Sequence, residues 1–471
     1  MDRLSRSEES LLALDATRHP AHTGAVHVFA GDDLFAYEDL VALVQDRIAF
    51  VPRYRQRVRA LPGGLAAPVW VDDVAFDLTY HLRRSALPRP GTPEQLREFL
   101  GRVMSRRLDR NRPLWELYLV EGLADNRFAL VSKTHLALVD GVDTVDLGQV
   151  LLDEDPAAPV ERPVTWEPNP EPGGLDLLVA AAYDGVRDPA RALGGLRRGV
   201  TGVLGTAVAV GDATGGLGAT FGDLAASALM GTAPAQASPF IGAASEQRRF
   251  AGVRARVDDL KAVRSRLGHT INDVVLAIIT GGLRGWLQHR GENIGSVLAL
   301  VPMSVVDADD QPSSLGCRVA PHLTALPVGE SRPAMRVHQI AIATQAHKDT
   351  GVAVDARTLT DLAGFAPATL HALGVRAGYE TVRRRYDLVV TNVPGPRSPV
   401  YAAGAQLEES FPVVPLGQGH LMAIGVTSYD GGVGIGITGD RDRLSDIDVL
   451  AQCMEESIEE LVTDAQREAT P

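Results

Sequence analysis

Between Lys133 and Gly141 the chain reads KTHLALVDG. One side chain in that stretch titrates near neutral pH, His135, and it closes an apolar, strand-like run. Five residues on, Asp140 and Gly141 form a turn pair: a carboxylate can accept backbone N–H bonds, and glycine reaches conformations other residues avoid. A strand end with its loop fixed behind it is a way to present an imidazole. Taken alone, the same residues read most simply as a strand end and a tight turn.

Other stretches have the same double character. Trp115 in RPLWE reads as a core aromatic. Asn272 and Asp273 in TINDVV read as caps for a helix start. Asn392 lies in TNVPGP, which reads as a strand leaving into a proline-fixed turn. GIGITG, residues 434 to 439, matches G-x-G-x-x-G. It sits inside a strand pattern and is followed by DRDRLSD, with no helix to hold a pyrophosphate, so a nucleotide site is not expected. HPAH, His19 to His22, lacks a nearby third ligand and reads as surface, not metal. There is no G-x-S-x-G, H-E-x-x-H, C-x-x-C or P-loop. No metal and no bound cofactor are expected.

Composition narrows the classes further. The 471 residues carry a formal net charge of −13 and no long basic run. That argues against nucleic acid, because phosphate binding needs clustered Lys and Arg. Two cysteines far apart, Cys317 and Cys453, give no disulfide framework and point to a reducing cytoplasm. The N-terminus lacks the pattern of a signal peptide. No apolar run reaches the roughly eighteen residues of a bilayer span. The nearest, GVTGVLGTAVAVG, is short and glycine-rich. Contact with a lipid surface does not need a span.

The elements that must position these residues follow from periodicity. GAVHVFA alternates as a strand, and LVALVQDRIAF has the spacing of an amphipathic helix. PLWELYLVEGL and RFALVSKTHLAL are expected to pair across a turn at Asp125-Asn126. INDVVLAIITGGLRGWLQHRG is a strong helix, and SVLALVPMSVV and RRYDLVVTNVPGP are strands. AIGVTSYDGGVGIGITGD reads as a hairpin turning at Asp430-Gly431, and DVLAQCMEESIEELV as a last helix. The mixed order predicts α+β layers. Texture divides the chain into 1–155, a proline-rich linker with glycine-rich helical crossover at 156–245, and 246–471. That middle segment reads first as a crossover between domains and, alternatively, as an amphipathic lipid surface.

In order along the chain, these blocks resemble the bacterial wax ester synthase/acyl-CoA:diacylglycerol acyltransferase family. RLSRSEESLLALDATRHPAHTGAVHVF is similar to its opening and RPLWELYLVEGL to its P-L-W block. KTHLALVDG lies at its H-H-x-x-x-D-G motif, and TINDVVLAIITGGLRGWL at its N-D block. DLVVTNVPGP and SYDGGVGIGITGDRDRLSDIDVL are similar to its C-terminal blocks. The resemblance implies two chloramphenicol-acetyltransferase-like α/β subdomains facing across a tunnel and joined by a helical crossover. Acyl-CoA enters from one side and a long-chain alcohol or diacylglycerol from the other. Trp115, Asn272, Asp273 and Asn392 would belong to the tunnel or its frame. The motif's second histidine would be the general base, its aspartate structural, and its glycine the turn.

Here the motif departs from that pattern. His135 is the first histidine, Asp140 and Gly141 are present, and the second histidine is Leu136. Phe240 and Ile241 stand where the family has Asn-Gly, and Gly316 and Cys317 where it has Gly-Asn. A leucine cannot accept a proton. Alternation along a strand would turn His135 away from any tunnel that Leu136 faces, which makes His135 a doubtful base. His322 and His420 are conceivable stand-ins. Three outcomes follow: an acyltransferase with reduced or relocated base function, a silent homologue that binds acyl-CoA or lipid or partners an active paralogue, or transfer to an acceptor that needs no enzymic base. The expected setting is the cytoplasm, with peripheral contact to the inner membrane face or lipid inclusions.

Overall fold

The computed structural model describes residues 2–15, 20–31, 35–60, 67–139, 148, 151–158, 166–174, 176, 238–305, 318–348 and 386–467. Most of the 156–245 crossover, Asp140, Gly141, Gly316 and Cys317 lie outside them.

Two six-stranded sheets organise the described chain. The first contains β2 (His22–Ala30), β5 (Leu82–Ala86), β6 (Trp115–Leu123), β7 (Arg127–His135), β12 (Tyr401–Ala402) and β13 (Ala405–Val413). Its order is β12-β13-β2-β7-β6-β5. The second contains β8 (Arg248–Arg256), β9 (Val297–Val305), β10 (Arg318–Leu326), β11 (Leu388–Val393), β14 (Met422–Tyr429) and β15 (Gly432–Asp440). Its order is β10-β9-β11-β14-β15-β8, with β11 parallel to both neighbours. A small sheet of β1 (Asp2–Arg3), β3 (Gln56–Arg59) and β4 (Val69–Asp72) flanks the first half.

Both predicted hairpins form where turn chemistry placed them. Between β6 and β7, Asp125 and Asn126 take φ of 63° and 55°. Two successive positive φ values give a turn whose twist matches the paired strands. Between β14 and β15, Asp430 and Gly431 have φ of 39° and 80°. The helix Ile271–His289 starts on a capping box: Thr270 Oγ1 accepts from Asp273 N–H at 3.2 Å, and Thr270 N–H donates to Asp273 Oδ2 at 2.9 Å. Apolar residues cover most of that helix, so it is buried nearly all round against the second sheet and the helix Ile447–Arg467.

One strand breaks the sequence division. Residues 401–413 fall in the 246–471 segment, yet β13 pairs antiparallel with β2 in the first sheet, from Leu407↔Phe29 to Val413↔Gly24. The chain therefore crosses back and stitches the halves together. At the crossing, the GIGITG glycines find their purpose. A Cβ on Gly434 would lie 2.0 Å from Ser410 O, and one on Gly436 2.0 Å from Pro412 O. Bare backbone on β15 lets β13 lie directly against it.

Gly436→Ala is therefore expected to destabilise by at least the ~1–3 kcal/mol typical of overpacking. Gly295→Ala, with nothing within 4 Å of its Cβ, is the matched control. Thermal melts of both check this, and equal melting temperatures would contradict the crossing.

Candidate active site

The KTHLALVDG strand ends at His135, where residues 136–138 turn. His135 N–H donates to Leu114 O at 3.0 Å, Leu136 N–H to Ala21 O at 2.9 Å, and Leu138 N–H to His135 O at 2.9 Å. The imidazole is fixed by its own turn: Ala137 N–H donates to His135 Nδ1 at 2.9 Å. That bond leaves the ring hydrogen on Nε2, which lies 3.9 Å from Asp15 Oδ2.

His22 is the cross-strand partner of His135, so the two rings share a sheet face, with centroids 5.8 Å apart. His22 Nε2 lies 3.6 Å from Asp15 Oδ1. Asp15 also accepts from Arg110 at 3.1 Å and from Ala21 N–H at 3.3 Å. Burial pushes the His135 imidazole down to about 4, overriding the opposing pull of Asp15. Burial, reinforced by Lys133 and His135, holds His22 well below the ordinary histidine range. Both rings are neutral at pH 7. His22 thus corrects the surface reading of HPAH, being 2% exposed; His19 lies outside the described residues.

Lys133 anchors the same strand from the helix Pro93–Ser105. Its fully buried ammonium donates to Val103 O at 3.0 Å and to Arg106 O, with Glu116 Oε2 4.0 Å away. These carbonyls belong to the end of that helix, where intrahelical donors run out. Burial pulls Lys133 down to about 8.

Leu136 goes the other way. It is 1% exposed and belongs to a buried cluster with Leu300, Tyr386, Val389, Leu416 and Ala423, all from the second half of the chain. The motif position thus lies where the halves meet. Tyr386 stacks on His420 at 4.0 Å and 10°. His420 has Nδ1 3.0 Å from Gln418 O and Nε2 2.9 Å from Tyr386 O; the neutral ring has one N–H and donates to one of these two carbonyls, according to its tautomer. His322 is buried on β10 opposite Val301.

The other sequence candidates take definite places. Trp115 is a core residue; its Nε1 donates to Tyr54 O at 2.7 Å and its ring stacks on His81 at 4.6 Å. Asp273 caps its helix and also accepts from Thr344 Oγ1 at 2.8 Å. Asn272, expected as a cap, is instead bridged across the fold: Asn392 Nδ2 donates to Asn272 Oδ1 at 3.0 Å. Phe240 is buried against Trp286, and Ile241 is 44% exposed. A small cavity of about 20 Å³, room for one water, lies on the opposite sheet face from His135, lined by His27, Trp115, Leu117, Ser132, Thr134 and Leu151. Among the described residues no three His, Cys, Asp or Glu side chains form a metal-binding group. No described helix is long and apolar enough to cross a membrane.

Two sheet-rich halves that meet at the motif strand define a mixed α/β protein of the chloramphenicol-acetyltransferase-like kind. The profile of the wax ester synthase/diacylglycerol acyltransferase catalytic domain matches residues 4–275, and that of the family's C-terminal domain residues 315–462. The chain belongs to this family. It is 40% identical over 268 residues to the probable diacylglycerol O-acyltransferase tgs3 of Mycobacterium tuberculosis, covering 56% of this chain and 96% of that one. To the probable diacylglycerol O-acyltransferase tgs1 of the same organism it is 33% identical over 461 residues, covering 97% and 95%. The solved wax ester synthase/diacylglycerol acyltransferase from Marinobacter aquaeolei VT8 superposes with a TM-score of 0.66 at 25% identity, covering 98% of this chain and all of that one.

Proposed function

We propose that this chain transfers a fatty acyl group from acyl-CoA to the hydroxyl of a long-chain alcohol or diacylglycerol, with Leu136 in the place of the family's general-base histidine. The observation that carries the reading is the placement of the motif strand. The residue that follows it, Leu136, is buried among side chains of both halves, and a hydrogen bond from Asn392 to Asn272 joins two further motif blocks.

In this reaction the acceptor oxygen attacks the thioester carbonyl, the C–O bond forms, the C–S bond breaks, and the hydroxyl proton ends on the departing sulfur. His135 is unsuited to take that proton. Its Nδ1 lone pair is held by Ala137 N–H, and its Nε2 faces Asp15. His135, Asp15 and His22 instead brace the strand end. With no side-chain base at 136, the proton passes from acceptor to sulfur late in the reaction, and turnover is slow. A cytoplasmic protein touching a membrane face or lipid inclusion peripherally would meet such acceptors there.

The test is thiol release from a long-chain acyl-CoA with hexadecanol or a diacylglycerol, with the ester product identified by mass. A second reading, favoured by the aliphatic side chain at 136, is a silent homologue that binds acyl-CoA or lipid, or pairs with an active paralogue. Calorimetric binding of acyl-CoA without thiol release would select it. Absence of both would sink both readings.

A further inference from the structure

Among the described apolar side chains clustered around Leu136, Tyr386 is the member that carries a hydroxyl. Every other buried member is aliphatic. Among the described residues this hydroxyl has no hydrogen-bond partner, whereas Tyr429, in the same half of the chain, donates its hydroxyl to Leu407 O at 2.8 Å. The fold holds the Tyr386 ring all the same. The ring stacks on His420, whose single N–H donates to one of two flanking carbonyls, Gln418 O or Tyr386 O. Space is also kept beside the oxygen. A Cβ on Gly417 would stand 3.1 Å from the Tyr386 hydroxyl and 2.9 Å from His420 Nδ1.

We infer that Tyr386 is a catalytic residue, its hydroxyl donating a hydrogen bond to the thioester carbonyl oxygen as that oxygen becomes an oxyanion. The inference rests on the acyl-transfer reading and deepens it. The phenol keeps its proton throughout. It stabilises negative charge on the carbonyl oxygen while the acceptor oxygen bonds to carbon. The C–S bond then breaks, and the acceptor's proton goes to sulfur. Burial pushes the phenol up to about 12, so it remains a donor at neutral pH. Fixed donors aimed at developing charge in a dry site are among the larger contributors to catalysis. A site without a base at 136 depends more heavily on such a donor.

The experiment is Tyr386→Phe, assayed by thiol release beside the wild type, with melting temperature and acyl-CoA affinity measured on both. Phenylalanine keeps the ring, the stack and the burial and removes only the hydroxyl. A fall of kcat by about 10²-fold or more, with affinity and melting temperature unchanged, is the expected result. Gly417→Ala should lower kcat as well, by filling the space at the hydroxyl. Unchanged kcat in Tyr386→Phe overturns the inference while leaving acyl transfer standing. A lowered melting temperature with unchanged kcat would make the hydroxyl structural and overturn it too. A wild type that releases no thiol defeats the acyl-transfer reading itself, and this inference with it.

Discussion

Lowering the pH from 7 to 4 is expected to unfold the protein well before its surface carboxylates are neutralised. His22, His27 and His135 are all buried, and burial depresses each, His27 and His135 to about 4. In the unfolded chain the same groups titrate near ~6.5. Between those values the unfolded state binds protons that the folded state refuses. Stability therefore falls as pH drops through this window and is fully present only above about 6.5. For His27 and for His135, holding the ring at about 4 against ~6.5 in the unfolded chain corresponds to roughly 3 kcal/mol. Those two rings together reach the lower end of the ~5–15 kcal/mol total of an ordinary fold, and His22 acts in the same direction. His81 and His420 are displaced in the same direction by burial. Glu409 opposes, because burial raises it and the folded state then gains protons early. One partly buried carboxylate does not offset the histidines. Urea midpoints from pH 7.5 to 4 should show the fall, and His27→Gln should flatten it by one proton. A midpoint independent of pH down to 4.5 would mean that these rings are hydrated.

Local chemistry made the hairpins and the helix start legible. Asp125-Asn126 and Asp430-Gly431 name their own turns, and Thr270 with Asp273 forms a cap within four residues. What escaped is carried by pairing between distant segments. Nothing near residue 405 says that β13 will leave its half and pair with β2. Nothing in HPAH says that His22 will face His135 across a register set more than a hundred residues later. Asp15 and Lys133 escaped for the same reason: their meaning depends on which ring or helix end is brought to them. GIGITG shows the limit from the other side. Its context excluded a nucleotide, but only the crossing strand explains why side chains are missing there. Alternation along the sequence sets His135 and Leu136 on opposite faces of one strand; the strand ends at His135, and it is the turn after it that leaves one beside Asp15 and the other in the seam between the halves. Asp140, on which the turn reading leaned, lies outside the described residues.

Leu136→His is expected to raise acyl transfer by about 10²–10⁴-fold, the usual contribution of a positioned general base. The side chain at 136 is buried at the seam where the reaction is proposed, while His135 is committed to its turn. Leucine and histidine are close in size, so the swap does not overfill the cluster. Burying an imidazole where leucine packed costs about 1–3 kcal/mol without a partner, a tolerable fraction of a typical total. Burial will also keep the new ring neutral at pH 7, the form a base requires. The assay compares thiol release from a long-chain acyl-CoA by wild type and variant, with hexadecanol or a diacylglycerol as acceptor. Near-UV circular dichroism confirms that the variant is folded. A rise shows that the missing base limits the natural protein. A folded variant as slow as wild type means that the site has diverged beyond one residue, and Phe240, Ile241 and Cys317 become the next substitutions. A wild type already as fast as the variant would remove the premise. The proton must then leave by a group other than residue 136, and His420 and His322 are the first to replace.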